Sequence, residues 1–278
     1  MVLVWSDVYN HRDTLLINEM KLMRNLCLAT MYTGNFTRLG DLCAATLSLY
    51  AKRYACSFRV ILSDDREMTR PAAWHKIELI HQLFEEGFEF VFWIDADALF
   101  LRYDDDIQCL IRPDKDIYMV RHCIPEHYGE DLIPNCGILL VRNCPWTQKF
   151  LSQIWDCTQY LNHVWWENAA MLHLLGLNRL IGEGEDRPNE DMLEHFSFIE
   201  TEWNSLPRLC PARNPIINHY AGMEFETRLS GMSQDFMCSL EVANEDGLLD
   251  EEWRELLSAY RSMLLPNAAQ PSQSPTGG

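Results

Sequence analysis

Apolar and polar positions fall into alternating blocks along the chain, and their periods predict strands and helices in turn. A short apolar run at 26–31 gives way to the polar stretch Tyr32-Thr33-Gly34-Asn35, a strand entering a loop. Asp41 stands where an N-cap would, ahead of a helical pattern that continues to Arg53. A second β-rich run, Phe58-Arg59-Val60-Ile61-Leu62, ends at Ser63-Asp64-Asp65. Pro71 then opens a helix over 72–86, whose Trp74, Ile77, Ile80, His81 and Phe84 trace one face. It leads into Phe90-Val91-Phe92-Trp93-Ile94, a run of β-formers of the kind a parallel sheet hides on both faces. Strand, helix, strand, helix, strand predicts a parallel α/β half.

Beyond it, the pattern gives strands at 117–120 and 137–141, an amphipathic helix over 146–161 and another over 167–175. Residues 182–191 are acidic and contain Gly and Pro, which reads as a surface loop. Phe196-Ser197-Phe198-Ile199 and Ile216-Ile217 read as short late strands, and 250–264 as a terminal helix. Residues 1–25 form an N-terminal extension in which Leu15, Leu16, Met20 and Met23 have helical spacing, expected to pack on the main domain. Residues 266–278 are rich in Ser, Pro, Gly and Gln and are expected to be disordered. The expected organisation is one α/β domain over 26–265 with a mostly parallel central sheet, and no internal repeat is visible.

Composition narrows the function. The chain has 278 residues, 47% of them hydrophobic, enough for a substantial core. A net charge of −18 argues against a nucleic-acid surface, which needs a basic patch. The same charge means that an anionic substrate requires a local metal or a Lys/Arg cluster. The ten cysteines contain no C-x-x-C spacing, which excludes zinc-ribbon and thioredoxin patterns and fits reduced thiols. The start, Met1-Val2-Leu3-Val4-Trp5-Ser6-Asp7, lacks a basic leader region, and no stretch approaches the roughly 18 apolar residues of a membrane span. The expected location is therefore the cytoplasm, or the Golgi lumen if the chain is a fragment. The pattern gives no oligomeric state.

The chemistry starts where the strand at 90–94 stops. Asp95 and Asp97 follow it at i, i+2, and ionised carboxylates at the edge of a core need a compensating charge. Such a pair suits a hard divalent cation whose shell a phosphate-bearing ligand completes. The carboxyl edge of a parallel sheet is where open α/β folds place their ligands. The plain alternative is an Asp pair that caps the strand and turns the chain. Among nine histidines, His219 stands out as a third ligand because it follows a short strand and precedes Gly222, which would let a phosphate approach the backbone.

Six segments then occur in a telling order: Ala73-Trp74-His75-Lys76; Trp93-Ile94-Asp95-Ala96-Asp97-Ala98-Leu99-Phe100; and the stretch from Asn135-Cys136-Gly137 through Asn143-Cys144-Pro145-Trp146. Glu167-Asn168-Ala169-Ala170, Trp203-Asn204-Ser205-Leu206-Pro207 and His219-Tyr220-Ala221-Gly222 complete the set. None is specific alone. In this order they resemble the galactosyl/xylosyl/mannosyltransferase family of plant xyloglucan and yeast galactomannan or mannan synthesis. The resemblance implies a GT-A fold and a retaining enzyme that needs manganese or magnesium and a nucleotide-diphosphate sugar. It would move a hexose or pentose to a saccharide acceptor.

Position by position, the resemblance implies that Asp95, Asp97 and His219 hold Mn²⁺ against the donor diphosphate, with Lys76 contacting the donor. Asn135 and Gly137 would lie beside the donor sugar, and Glu167 and Asn168 would orient that sugar or the acceptor hydroxyl. Trp165 and Trp166 would offer a stacking face for a sugar ring. Thr30, Tyr32 and Thr33 would cradle the nucleobase and ribose. The chain departs from the family at Glu224, where plant members carry a lysine facing the diphosphate; Arg228, with Lys76 and Arg70 behind it, is the candidate replacement. Glu167-Asn168 stands where the family has an acid followed by Gln. Retention fits front-face attack in which the leaving phosphate oxygen takes the acceptor's proton. A double displacement would instead need a nucleophile, for which Glu167 is the one suggestively placed carboxylate. Two other readings compete. An aspartyl-phosphate phosphatase also begins with Asp-x-Asp, but Leu99-Phe100 lacks its hydroxyl or β-branched residue. A non-catalytic nucleotide-sugar-binding relative would account for Glu224.

Overall fold

The computed structural model describes residues 25–63 and 68–264. In chain order its elements are β1 (Leu26–Thr33), α1 (Thr37–Tyr54), β2 (Ser57–Ser63), α2 (His75–Glu85), β3 (Phe90–Ile94) and β4 (Ala98–Phe100). There follow β5 (Ile117–Cys123), α3 (Pro125–Tyr128), β6 (Leu132–Arg142), α4 (Pro145–Asp156), α5 (Trp166–Leu174) and α6 (Glu190–Leu193). The chain continues through β7 (Phe196–Ile199), β8 (Ile217–His219), α7 (Phe225–Glu245) and α8 (Glu251–Leu264).

Six strands form one sheet in the order β2-β1-β3-β6-β5-β7. Only β6 runs against the rest: β1 is parallel to β2 and β3, β5 is parallel to β7, and both β3 and β5 meet β6 antiparallel. The sheet is therefore mostly parallel, as expected. Successive side chains of its central strands enter opposite layers, following the two-residue period of a strand. Phe90, Phe92 and Ile94 join Leu26 and Leu28 in one core, closed by α1, α7 and the small β4-β8 pair. Val91 and Trp93 join Cys27, Ala29 and Met31 in the other, closed by α2, α4 and α5. All ten thiols are free.

Several boundaries differ from the pattern. β1 extends to Thr33, past the expected loop start. Asp41 is not an N-cap: α1 begins at Thr37, and the Asp41 carboxylate accepts the Tyr32 hydroxyl at 2.7 Å. The helix expected over 146–161 ends at Asp156, and a single 3₁₀ turn, Thr158–Tyr160, follows it. The 21-residue α7 has no counterpart in the sequence reading. The N-terminal extension up to residue 24, Asp64 and Asp65, and the tail at 266–278 lie outside the described residues. Among the described residues, no helix is long and apolar enough to cross a membrane.

Candidate active site

The two aspartates sit in the turn between β3 and β4, at the carboxyl edge of the parallel strands. The Asp95 N–H donates to Gly137 O at 2.8 Å, which continues the β3–β6 ladder one step beyond β3 and fixes where the turn begins. β4 then pairs antiparallel with β8, placing Ala98 opposite His219, while the Tyr220 N–H donates to Asp97 O at 2.9 Å. That register brings a histidine from late in the chain to the aspartates. The ligand atoms of Asp95, Asp97 and His219 all lie within 4.8 Å of one another. His219 Nε2 is 3.3 Å from Asp97 Oδ1, and Arg228 Nη1, from α7, is 3.0 Å from Asp97 Oδ2. Burial would raise the Asp97 carboxyl, but the His219 and Arg228 charges hold it down to about 2. Asp97 is thus ionised throughout the neutral range.

Lys76 lies on the first turn of α2 and is 1% exposed, so its ammonium is buried in the site. Its ammonium bridges Asp95 at 2.9 Å and Glu167 at 2.8 Å, and it donates to Cys136 O at 3.2 Å. Burial works against its charge, and the carboxylates beside it keep its pKa well above the ordinary lysine value. Glu167 begins the first turn of α5 behind Trp166, whose φ of +43° is unusual for a bulky residue and turns the chain into the helix. Burial pushes the Glu167 carboxyl up, with Lys76 partly offsetting it. Glu167 Oε1 takes the ammonium and the Cys136 thiol, whereas Oε2 is buried with no hydrogen-bond partner.

An irregularity in β6 supplies the site's other wall. Val120 of β5 pairs with Asn135, while its neighbour Met119 pairs with Leu139, so the intervening residues bulge out of register. The Asn168 side chain braces this bulge, accepting the Cys136 N–H at 3.0 Å and donating to Pro134 O at 3.3 Å. Asn135 Oδ1 accepts the Gly137 N–H at 2.9 Å. Gly137 must lack a side chain, because a Cβ there would come within 2.1 Å of His219 Cε1.

The structure therefore brings Asp95, Asp97, His219, Lys76, Asn135, Gly137, Glu167 and Asn168 into one contiguous network. Thr30, Tyr32 and Thr33 end β1 and are buried; the Thr30 hydroxyl accepts the Cys43 thiol at 3.7 Å, and that same thiol also reaches Asp95 O. Gly222 has φ +70° and lines an open cleft of about 290 Å³ with Arg208, Leu209, Ala221, Met223, Glu224 and Thr227. Arg70 points elsewhere, its guanidinium 3.7 Å from the Trp155 ring. The two tryptophans part company: Trp165 packs on Tyr128 with ring centroids 5.5 Å apart, and Trp166 is 44% exposed. Sequence reasoning gave no role to Asn204, which is fully buried between His219 and Asn135. Its place in the segment Trp203-Asn204-Ser205-Leu206-Pro207 was the available signal.

A mostly parallel sheet with an acidic turn at its carboxyl edge defines this chain as an α/β domain. Residues 65–182 match the family model described as nucleotide-diphospho-sugar transferase, a span that includes Lys76, Asp95, Asp97, Asn135, Gly137, Glu167 and Asn168. No curated protein matches the chain. Among solved structures, the chain is similar to a glycosyltransferase involved in the glycosylation of the major capsid of PBCV-1, with TM-score 0.57 and 13% identity over 75% of this chain and 98% of that one. At that identity the likeness shows the fold, a single α/β domain of the GT-A type. Weaker likenesses carry no argument: glycosyltransferase GlyE of Streptococcus pneumoniae TIGR4 (TM-score 0.47, 15% identity, 89% of this chain and 66% of that one) and mouse xyloside xylosyltransferase 1 (TM-score 0.43, 13% identity, 71% and 98%).

Proposed function

We propose that this chain is a metal-dependent glycosyltransferase, related to the plant and yeast galactosyl/xylosyl/mannosyltransferases, that moves a hexose or pentose from a nucleotide-diphosphate sugar to a saccharide hydroxyl with retention. The observation that carries the reading is the Asp95-Asp97-His219 cluster at the carboxyl edge of the sheet. Two carboxylates and one imidazole suit Mn²⁺, with Mg²⁺ the weaker fit because of its reluctance toward nitrogen. Asp97 supports the fit, since its ionised carboxylate already holds two positively charged or protonatable groups. When bound, the cation would offset charge on the departing nucleoside diphosphate.

The chain's own residues do the rest. Arg228 reaches the site from α7 and supplies the cation absent at Glu224, which is exposed just ahead of that helix. Lys76 stands between Asp95 and Glu167, its buried ammonium bridging the two carboxylates. Glu167 Oε2, buried and unpartnered, is an acceptor for a sugar hydroxyl, and Asn135 lies in the same network. Trp166 offers an exposed indole to the acceptor ring. Thr30, Tyr32 and Thr33 shape the base and ribose end, and Gly222 leaves backbone open to the diphosphate.

A panel of nucleotide sugars with Mn²⁺ tests the reading by donor hydrolysis or transfer, and by ligand-induced stabilisation that chelation removes. Asp95→Ala and Asp97→Ala should each abolish metal-dependent donor turnover; full activity in both would sink the metal assignment. Donor binding without turnover on any acceptor would favour a non-catalytic relative. Hydrolysis of simple phosphate esters would favour the phosphatase.

A further inference from the structure

The hydrogen bonds around Asn204 have a single polarity, and it starts from a group that can only donate. The Gly137 backbone N–H points at the Asn135 side chain at 2.9 Å, so the atom facing it is the acceptor Oδ1. The same Oδ1 faces Asn204 at 3.0 Å, so Asn204 must present its NH₂ there. Its other end, Oδ1, is then the atom 3.0 Å from His219 Nδ1. An amide oxygen only accepts, so His219 Nδ1 must carry a proton. In the neutral ring this leaves the lone pair on Nε2, the nitrogen that faces Asp97.

The backbone holds Asn204 in place for this task. Ser205 pairs with Asn218 alongside β8, with the Ser205 N–H donating to Ile217 O at 2.9 Å and the His219 N–H to Ser205 O at 2.8 Å. The Asn204 carbonyl accepts His122 Nε2 at 2.6 Å, and the residue is fully buried. Resting on the metal reading above, we infer that Asn204 is a positioning residue: it locks His219 in the Nδ1–H tautomer and thereby aims the Nε2 lone pair into the Asp95-Asp97 cation site. Outer-shell partners of ligating histidines commonly set tautomer and ring orientation, and their loss costs about 10- to 100-fold in metal affinity.

The test combines Mn²⁺ titration by calorimetry with ¹⁵N-histidine NMR of the metal-free protein. Wild-type His219 should show a protonated Nδ1. Asn204→Ala should release that proton to Nε2 in the neutral ring and weaken Mn²⁺ binding about 10- to 100-fold. Asn204→Asp, nearly isosteric and still an acceptor, should keep Nδ1 protonated, and it serves if the alanine variant does not fold. An unprotonated Nδ1 in the wild type or in Asn204→Asp, or unchanged Mn²⁺ affinity in Asn204→Ala, would overturn the inference. A wild type that binds no Mn²⁺ would overturn the metal reading instead, and the NMR result would still decide the tautomer.

Discussion

Lys76 places one positive charge between two carboxylates in a nearly dry wall, and its removal strands both of them. Breaking a buried ion pair from one side costs about 3–5 kcal/mol. Lys76→Met should lower unfolding stability in urea by about that much. Adding Glu167→Gln should recover part of the loss, because it removes a stranded charge. Gly137 is governed by space rather than charge: a Cβ there meets His219 Cε1 at 2.1 Å. Gly137→Ala should therefore cost about 1–3 kcal/mol by overpacking and weaken Mn²⁺ binding at the same time, as read by urea melts and calorimetry. At this scale the sequence showed which residues meet but not how they divide the work. Lys76 was expected to contact the donor, and the sequence did not show that its ammonium also bridges Asp95 and Glu167. Asn168 is spent on backbone groups of the β6 bulge. Asn204 showed no role, because a hydrogen-bond relay has no spacing signature.

The strands that carry the site were legible because a sheet buried on both faces demands unbroken apolar runs, and 90–94 is one. Two elements went unread. The β6 bulge depends on how two strands pair, which a single strand's period does not encode. α7 did carry a helical pattern, Leu229, Met232, Phe236, Leu240 and Ala243, which packs into the core, and specific contacts add to that packing. Asp235, on that helix, accepts both Asn218 Nδ2 at 2.7 Å and the Tyr220 hydroxyl at 2.5 Å through Oδ2. It ties α7 to the residues on either side of His219. Asp235→Ala should cost about 2–3 kcal/mol, given the worth of hydrogen bonds to a charged acceptor. It should also weaken Mn²⁺ binding through β8, whereas Asp250→Ala, at the far end of the helical layer, should leave metal affinity unchanged; titration of both variants checks this.

For the molecule as a whole, one buried histidine sets a visible acid limb on stability. Burial drives the His122 imidazole down to about 4, against the ordinary value of 6.5. Between those values the unfolded chain binds a proton that the folded protein excludes, so stability rises with pH across the window and is lost on acidification. The shift is worth roughly 3 kcal/mol at most. His122→Gln should flatten the stability curve between about pH 6.5 and pH 4, as measured by denaturant midpoints across that range. The fold class, the single α/β domain and the acidic turn were all readable from the chain. The convergence of 95, 137, 167 and 219 was readable only through a resemblance, and that of 204 not at all, because topology rather than local pattern makes distant residues neighbours.

That convergence has a consequence in time. During synthesis, β1 to β3 emerge early, and the carboxylates of Asp95 and Asp97 emerge with them, but β8 and α7 follow more than a hundred residues later. Until they arrive, the acidic turn has neither its histidine nor its arginine. Assembly of the Asp95-Asp97-His219 cluster thus waits on residues from late in the chain, and a nascent chain halted before residue 219 would carry the acidic turn without its histidine or arginine.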